Sequence, residues 1–297
     1  MILASILGWA VVTLSTSFMR QSPDYESPLE NQVLMGALVE TFETERYWVK
    51  VRAEDYTGWV TDMGLVPLDE AARDAYLEAP KWICVTDRTH IYGEPSAKSQ
   101  PLSDFSMGNL VRQTGRGSGC TCSCGRGWVE VMLPDGRTGW VKRDCVEPFG
   151  EYMRSRELTA DSLLALASRF LGTPYMWGGN SAGTFDCSGL VKLCFLMHGV
   201  LLPRNASQQA KCGESVPQGQ WQPGDLLFFG KSNPLRVSHV AIYMGEGRII
   251  HASQLVRINS LSEYGREVVA ARRIIGSGGL QTVLDSPYYF KQDGGEK

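Results

Sequence analysis

Along residues 159–171 the apolar positions Leu163, Leu164, Leu166, Ala167 and Phe170 recur at the spacing of one helix face, and Gly172 with Pro174 marks the stop. Residues 173–185 read as a loop, and a second apolar helix follows over 188–197, ending at Gly199. The period then shortens. Residues 225–229, 237–244, 248–252 and 267–275 read as strands, the first entered through a Pro223-Gly224 turn. Helices followed by antiparallel strands predict an α+β domain in the second half of the chain.

The first half is patterned differently. W-V-K-V-R-A-E-D-Y-T-G-W-V from Trp48 recurs as W-V-E-V-M-L-P-D-G-R-T-G-W-V from Trp128, with one extra residue in the second copy. Each copy is an alternating strand, a polar turn and a second strand opening on Gly-Trp-Val, which predicts a β-hairpin of a small barrel. Further short runs lie upstream, at 11–18 and 33–42 in one copy and at 83–92 and 110–113 in the other, so a unit of about 65 residues is repeated. Between the copies, residues 69–79 carry strong helix formers with acidic residues in the first turn and stop at Pro80, predicting a short linking helix.

Composition then excludes several classes. At roughly 100–200 residues per domain, 297 residues hold two or three domains. Hydrophobic residues at 43% and charged residues at 21% argue against disorder and low complexity. The net charge of −3 leaves no basic field for a phosphate backbone, so nucleic acid is not expected as a partner. The longest apolar stretch, residues 1–14, is too short to cross a bilayer, and no Lys or Arg precedes it as in a leader; no transmembrane segment is expected. Eight cysteines are too sparse for a disulfide scaffold. The cluster G-C-T-C-S-C-G at 119–125 lacks the C-x-x-C spacing of a zinc site and has no His nearby. It reads as an oxidisable loop, with the redox state of Cys120, Cys122, Cys124 and Cys145 left open.

Candidate chemistry concentrates in G-T-P-Y-M-W-G-G-N-S-A-G-T-F-D-C-S-G-L-V, residues 172–191. Cys187 falls at a helix start, where unpaired amides and the positive dipole end favour a thiolate and predict a lowered pKa. The surrounding glycines, Asp and Ser are poor core material but suit close approach of a substrate backbone. Cys194, seven residues on, reads as a small core hydrophobe. A thiol needs a base, and only four histidines exist. A three-residue loop between the strands of His239 and His251 would make them diagonal neighbours, Cβ atoms roughly 7–8 Å apart; a two-residue turn would put them on opposite faces. His90 and His198 read as structural.

With these residues in view, the chain resembles NlpC-family cysteine peptidases, papain-like α+β domains, here preceded by two bacterial SH3-like (SH3b) barrels. The resemblance is carried by F-D-C-S-G-L at 185–190, the preceding P-Y-x-W-G-G, L-P-R-N-A-S-Q-Q at 202–209, Q-P-G-D-L-L-F-F at 222–229 and S-H-V-A-I-Y-M-G from Ser238. It implies a first barrel over 1–68, a linking helix over 69–80, a second barrel over 81–148 and a peptidase domain over 149–297. It further implies cleavage of the γ-D-glutamyl-L-diamino acid bond of peptidoglycan stem peptides or murein tripeptides and tetrapeptides, by a monomer without metal or organic cofactor.

Transferred by motif, the resemblance makes Cys187 the nucleophile, His239 the general base and His251 the group that orients it. The Cys187 backbone N–H and the Tyr175 hydroxyl would hold the oxyanion, and Trp177, Asp186, Ser188 and Ser238 would line the groove. Tyr56, on the first hairpin, is the candidate from the barrels. At Asn205 the chain departs from relatives that place an Asp against a free L-Ala ammonium, so modest selectivity for the free amine is expected; Asn205 with Gln208 also fits a helix cap. Two other readings compete: a cell-wall-binding SH3b module with a degenerate partner domain, and a papain-like amidase or acyltransferase on another N-acyl substrate. The compartment is periplasmic if a signal peptide has been removed and cytoplasmic otherwise.

Overall fold

The computed structural model describes residues 8–115 and 127–292. Cys120, Cys122 and Cys124, read above as an oxidisable loop, lie outside the described residues. The chain divides into two compact units, Met1–Arg154 with Leu284–Lys297, and Ser155–Val283.

The first unit contains two seven-stranded antiparallel sheets. One holds β1 (Gly8–Val12), β2 (Thr16–Arg20), β3 (Leu29–Leu34), β4 (Leu38–Glu45), β5 (Trp48–Ala53), β6 (Tyr56–Thr61) and β7 (Leu65–Leu68). The other holds β8 (Lys81–Cys84), β9 (Arg88–Tyr92), β10 (Pro101–Ser106), β11 (Leu110–Gln113), β12 (Trp128–Met132), β13 (Thr138–Lys142) and β14 (Val146–Pro148). Their orders are β3-β2-β6-β5-β4-β1-β7 and β10-β9-β13-β12-β11-β8-β14. Adding seven to each strand of the first gives the second, so the sequence repeat is also a repeat of topology. The extra residue of the second hairpin is absorbed in its turn: Ala53 pairs Tyr56 across two residues, whereas Leu133 N–H bonds Arg137 O across three, with Gly136 at φ +89°. Helix α1 (Glu70–Glu78), capped by Asp69, buries Tyr76 and Leu77 against Val11 and Leu38. Helix α2 (Phe149–Ser155) follows β14, and its Phe149 ring stacks on Phe290 at 5.0 Å.

The second unit is α+β. Helix α3 (Ala160–Arg169) precedes the short hairpin β15 (Asn180–Ser181) and β16 (Thr184–Phe185), then α4 (Cys187–Leu196) and α5 (Ala206–Gln209). A six-stranded sheet comes after them, from β17 (Glu214–Ser215), β18 (Leu226–Lys231), β19 (Arg236–Gly245), β20 (Arg248–Ser253), β21 (Leu255–Ser260) and β22 (Val268–Arg273), with α6 (Leu261–Tyr264) between the last two. Its order is β17-β22-β18-β19-β20-β21. All ten residues of α4 are buried, the pattern of a helix enclosed in a core rather than laid on a surface. Strand β21 and helix α6 were not anticipated from the pattern, and both border the histidines of the candidate site.

Candidate active site

Cys187 is the first residue of α4. Asp186 caps that helix, its Oδ1 accepting the Gly189 amide at 2.8 Å and its Oδ2 the Gly178 amide at 3.0 Å. The turn is tight enough that a Cβ on Gly189 would lie 1.9 Å from the Gly179 carbonyl oxygen, which explains the glycine of D-C-S-G. Arg204, 1% exposed, closes the arrangement: its guanidinium forms a two-pronged ion pair with Asp186, Nη1 to Oδ1 at 3.0 Å and Nη2 to Oδ2, and Nη1 also donates to Ser188 Oγ at 2.9 Å. Asp186 and Ser188 are buried and face Arg204 and the α4 amides, where the resemblance led us to expect a groove wall.

The Tyr175 segment is held as an added strand. Gly172 N–H bonds Val256 O at 2.9 Å, Val256 N–H bonds Thr173 O at 2.8 Å, Tyr175 N–H bonds Gln254 O at 2.8 Å and Met176 N–H bonds Phe185 O at 3.0 Å. Tyr175 is thereby fixed between the start of α4 and β21. Burial, and then the neighbouring Cys187 and Asp186, push its hydroxyl up to about 12, so it stays a proton donor at neutral pH. Trp177 is 63% exposed, and Asn205, which precedes α5, is exposed with its amide N–H bonded to Gln208 Oε1 at 3.1 Å. Tyr56 lies in the other unit on β6, its hydroxyl donating to Glu30 Oε2 at 2.6 Å.

Two β-bulges flank His239, and the second brings it to His251. In the β18–β19 ladder Phe229 pairs His239 but Gly230 pairs Val237, which leaves Ser238 as the extra residue. In the β19–β20 hairpin the turn has only two residues, Glu246 and Gly247, both at positive φ, with Gly245 opposite Arg248. That turn alone would separate the imidazoles. The register shifts at Met244, however, so that Ile242 pairs Ile250 and the ladder beyond runs as a three-residue loop would set it. His239 Nε2 then lies 2.7 Å from His251 Nδ1, with both rings buried.

The proton positions along this chain are fixed from its far end. His251 Nε2 lies 3.0 Å from Asn259 Oδ1, which also accepts Arg257 Nε–H at 2.8 Å. Arg257 can only donate, so the Asn259 oxygen is an acceptor and His251 Nε2 carries hydrogen. A neutral His251 then accepts at Nδ1, His239 donates from Nε2, and His239 Nδ1 is left as the basic nitrogen.

The electrostatics correct one expectation. Burial first, and the Asp186 carboxylate second, push the Cys187 thiol up to about 11; the Val240 and Ser188 amides facing the sulfur pull the other way and are outweighed. The helix N-terminus does not win because this sulfur is desolvated and adjacent to an acid. Burial also lowers His239 to about 3, with the charges of His251 and Arg266 adding, and lowers His251. Each charged form is costly alone, so thiol and imidazole are both neutral at rest and their charges arise together only as the sulfur attacks.

Four further residues lie beside the histidines, none singled out by motif. The Tyr264 ring packs 5.6 Å from that of His239 and 4.7 Å from that of His251. Arg266 donates from Nη1 to the Tyr264 hydroxyl at 3.1 Å and from Nη2 to Ser238 Oγ at 2.8 Å. Asn259 and Arg257 alternate along β21 with Ile258, a polar-apolar-polar pattern that signals a strand but not its partner.

Comparison with known proteins places this site in a family. Residues 172–273 match the model of the NlpC/P60 family, and residues 19–65 match that of the bacterial dipeptidyl-peptidase Sh3 domain. A γ-D-glutamyl-L-lysine dipeptidyl-peptidase of Bacillus cereus is 33% identical over 270 residues, covering 83% of this chain and 75% of the relative. A γ-DL-glutamyl hydrolase of Bacillus subtilis is 40% identical over 124 residues, 38% of this chain and 30% of the relative. The crystal structure of an NlpC/P60 family protein from Bacillus cereus superposes with a TM-score of 0.77 at 25% identity, covering 90% of this chain and all of that one (100%). The chain belongs to the NlpC/P60 family of cysteine peptidases.

Proposed function

We propose that this peptidase hydrolyses the γ-D-glutamyl-L-diamino acid bond of peptidoglycan stem peptides, with Cys187 as nucleophile, His239 as general base and His251 as its orienting partner. The observation that carries the reading is the hydrogen-bonded run from His239 through His251 to Asn259, which leaves His239 Nδ1 basic, in the same unit as a thiol at a helix N-terminus. In the first step the thiol proton passes to His239 as sulfur attacks the γ-carbonyl carbon. The oxygen becomes an oxyanion opposite the Cys187 amide and the protonated Tyr175 hydroxyl, and loss of one such donor costs about 3 kcal/mol. His239 then protonates the departing amine, leaving a γ-glutamyl thioester. Water, deprotonated by His239, attacks the thioester, and the carboxylic acid and the thiol are released.

The names of the two curated relatives support the acyl side: one is called a γ-D-glutamyl-L-lysine peptidase and the other a γ-DL-glutamyl hydrolase, so both specify γ-glutamyl and only the first adds a lysine. Mass spectrometry of products from defined stem peptides tests the reading; cleavage anywhere other than after γ-D-Glu, or none, would sink it.

Asn205 bears on the amino end of the substrate. A neutral amide bonds an ammonium about half as strongly as a carboxylate does. Weak discrimination between free and N-acetylated L-Ala-γ-D-Glu peptides is therefore expected, and Asn205→Asp should raise the kcat/KM ratio in favour of the free amine by roughly tenfold. An unchanged ratio would remove Asn205 from the specificity site.

A further inference from the structure

Arg204 and Arg266 both border the site, but only one has a carboxylate. Arg204 is closed in its ion pair with Asp186. Arg266 is exposed and fixed by two neutral oxygens, Ser238 Oγ and Tyr264 Oη, and among the described residues no carboxylate forms an ion pair with it. Its place is specific. Ser238 is the bulged residue beside His239, its hydroxyl also donating to Phe229 O at 3.3 Å, and Tyr264 packs against both imidazoles. The Arg266 charge is felt at both histidines. A guanidinium held by two fixed acceptors, still presenting N–H groups, is a site prepared for a carboxylate.

We propose that Arg266 is a specificity-determining residue that binds a carboxylate of the residue released as the amine. The inference rests on the proposed function. His239 protonates the departing nitrogen, so the released residue lies on the His239 side of the scissile bond, next to Ser238 and Arg266. When the diamino acid ends the peptide, its α-carboxylate is one carbon from that nitrogen. When the chain continues into D-Ala, the carboxylate is converted to an amide and the ion pair is lost. A diaminopimelate residue brings a second carboxylate, at the far end of its side chain.

The test uses the full chain and three substrates: L-Ala-γ-D-Glu-L-Lys as free acid, the same peptide as carboxamide, and the free acid with meso-diaminopimelate in place of lysine. The wild type should prefer the lysine acid over its amide by about 10- to 100-fold in kcat/KM, the range of a charge-assisted hydrogen bond. Arg266→Gln should bring the two to parity mainly through KM, and Arg266→Lys should keep part of the preference. A diaminopimelate-over-lysine preference that vanishes in Arg266→Gln, with acid and amide alike throughout, would support the inference with the side-chain carboxylate as the ligand. Equal loss on all three substrates would reveal a purely structural role and overturn it, as would ratios unmoved by the substitution. If the wild type cleaves none of the three, the proposed function fails and this inference with it.

Discussion

The thiol and the imidazoles are held by opposite kinds of framework. Around Cys187 it is ionic and closed: Asp186 caps the helix, Arg204 neutralises the cap, and both are buried. Around His239 it is a run of hydrogen bonds between neutral side chains at one edge of the sheet, through His251 to Asn259, anchored at its far end by the partly exposed guanidinium of Arg257. A buried ion pair sets a backbone turn and fails abruptly when one member is removed. A neutral chain sets where protons sit, and it can be detuned link by link.

The sulfur itself gives the largest expected effect. Cys187→Ala should lower hydrolysis by on the order of 10⁴ or more, since the nucleophile acts as part of one unit with its base. The unfolding transition should hardly move, because the helix turn is fixed by Asp186 and Arg204 rather than by sulfur. Appreciable residual turnover would show that another group attacks.

Next come the members of the ion pair. Asp186→Asn keeps a helix cap but takes the carboxylate away from the buried Arg204 guanidinium, and Arg204→Met takes the guanidinium away from the buried Asp186 carboxylate. Each should cost about 3–5 kcal/mol in urea unfolding, and the double variant less than their sum. Additive losses would mean that the two residues stabilise the fold separately and that the closed framework around the thiol is not one unit.

These two frameworks were unequally legible in the sequence. The thiol half is contiguous: F-D-C-S-G-L contains the cap, the nucleophile and the glycine that permits close packing, so local rules reach it. Even there burial was invisible, and with it the sign of the Cys187 shift. Arg204 lay inside a quoted motif, but its pairing with Asp186 spans 18 positions and depends on the tertiary fold. On the imidazole half the relation of His239 to His251 hung on turn length, and the real solution, a two-residue turn corrected by a bulge, was neither of the cases the pattern offered. Asn259, Tyr264 and Arg266 were missed because β21 and α6 are short and none of the three shares a motif with the histidines it borders. The α+β class and the SH3-like first half were readable because hydrophobic period and a tandem repeat are properties of long stretches.

The neutral run should yield intermediate effects. His239→Ala should be more damaging than His251→Ala, because one transfers the proton and the other fixes its tautomer. Asn259→Leu frees the His251 Nε2–H and lets the rings shift, with an expected loss on the order of 100-fold in kcat, the scale of a misplaced catalytic group. Asn259→Asp keeps an acceptor at that place and should retain most activity at neutral pH. Equal damage from both Asn259 variants would show that side-chain shape, not the accepted proton, is what Asn259 supplies.

The smallest expected effect is on stability against pH, and it separates the two halves by sign. In the folded protein His239 is held near 3 and His251 below its usual value, while the unfolded chain titrates both near 6.5. As pH falls from about 6.5 toward 3, the unfolded chain takes up protons that the folded imidazoles refuse, and stability declines. For Cys187, raised from 9.0 to about 11, the unfolded thiol ionises first, so its contribution is lost as pH rises above about 9. The histidine half thus weakens in acid and the thiol half in base, with a plateau between. Acid acts on many groups of the molecule at once, so wild type alone cannot isolate the imidazoles. The informative quantity is the drop in melting temperature between about pH 7.5 and about pH 5, compared between wild type and a His239→Gln, His251→Gln double variant. The drop should be smaller in the variant, because the groups that refuse protons are gone while the rest of the molecule is unchanged. An equal drop in the two proteins would mean that the imidazoles titrate normally in the folded state, and the picture of a neutral, desolvated histidine run would have to be abandoned.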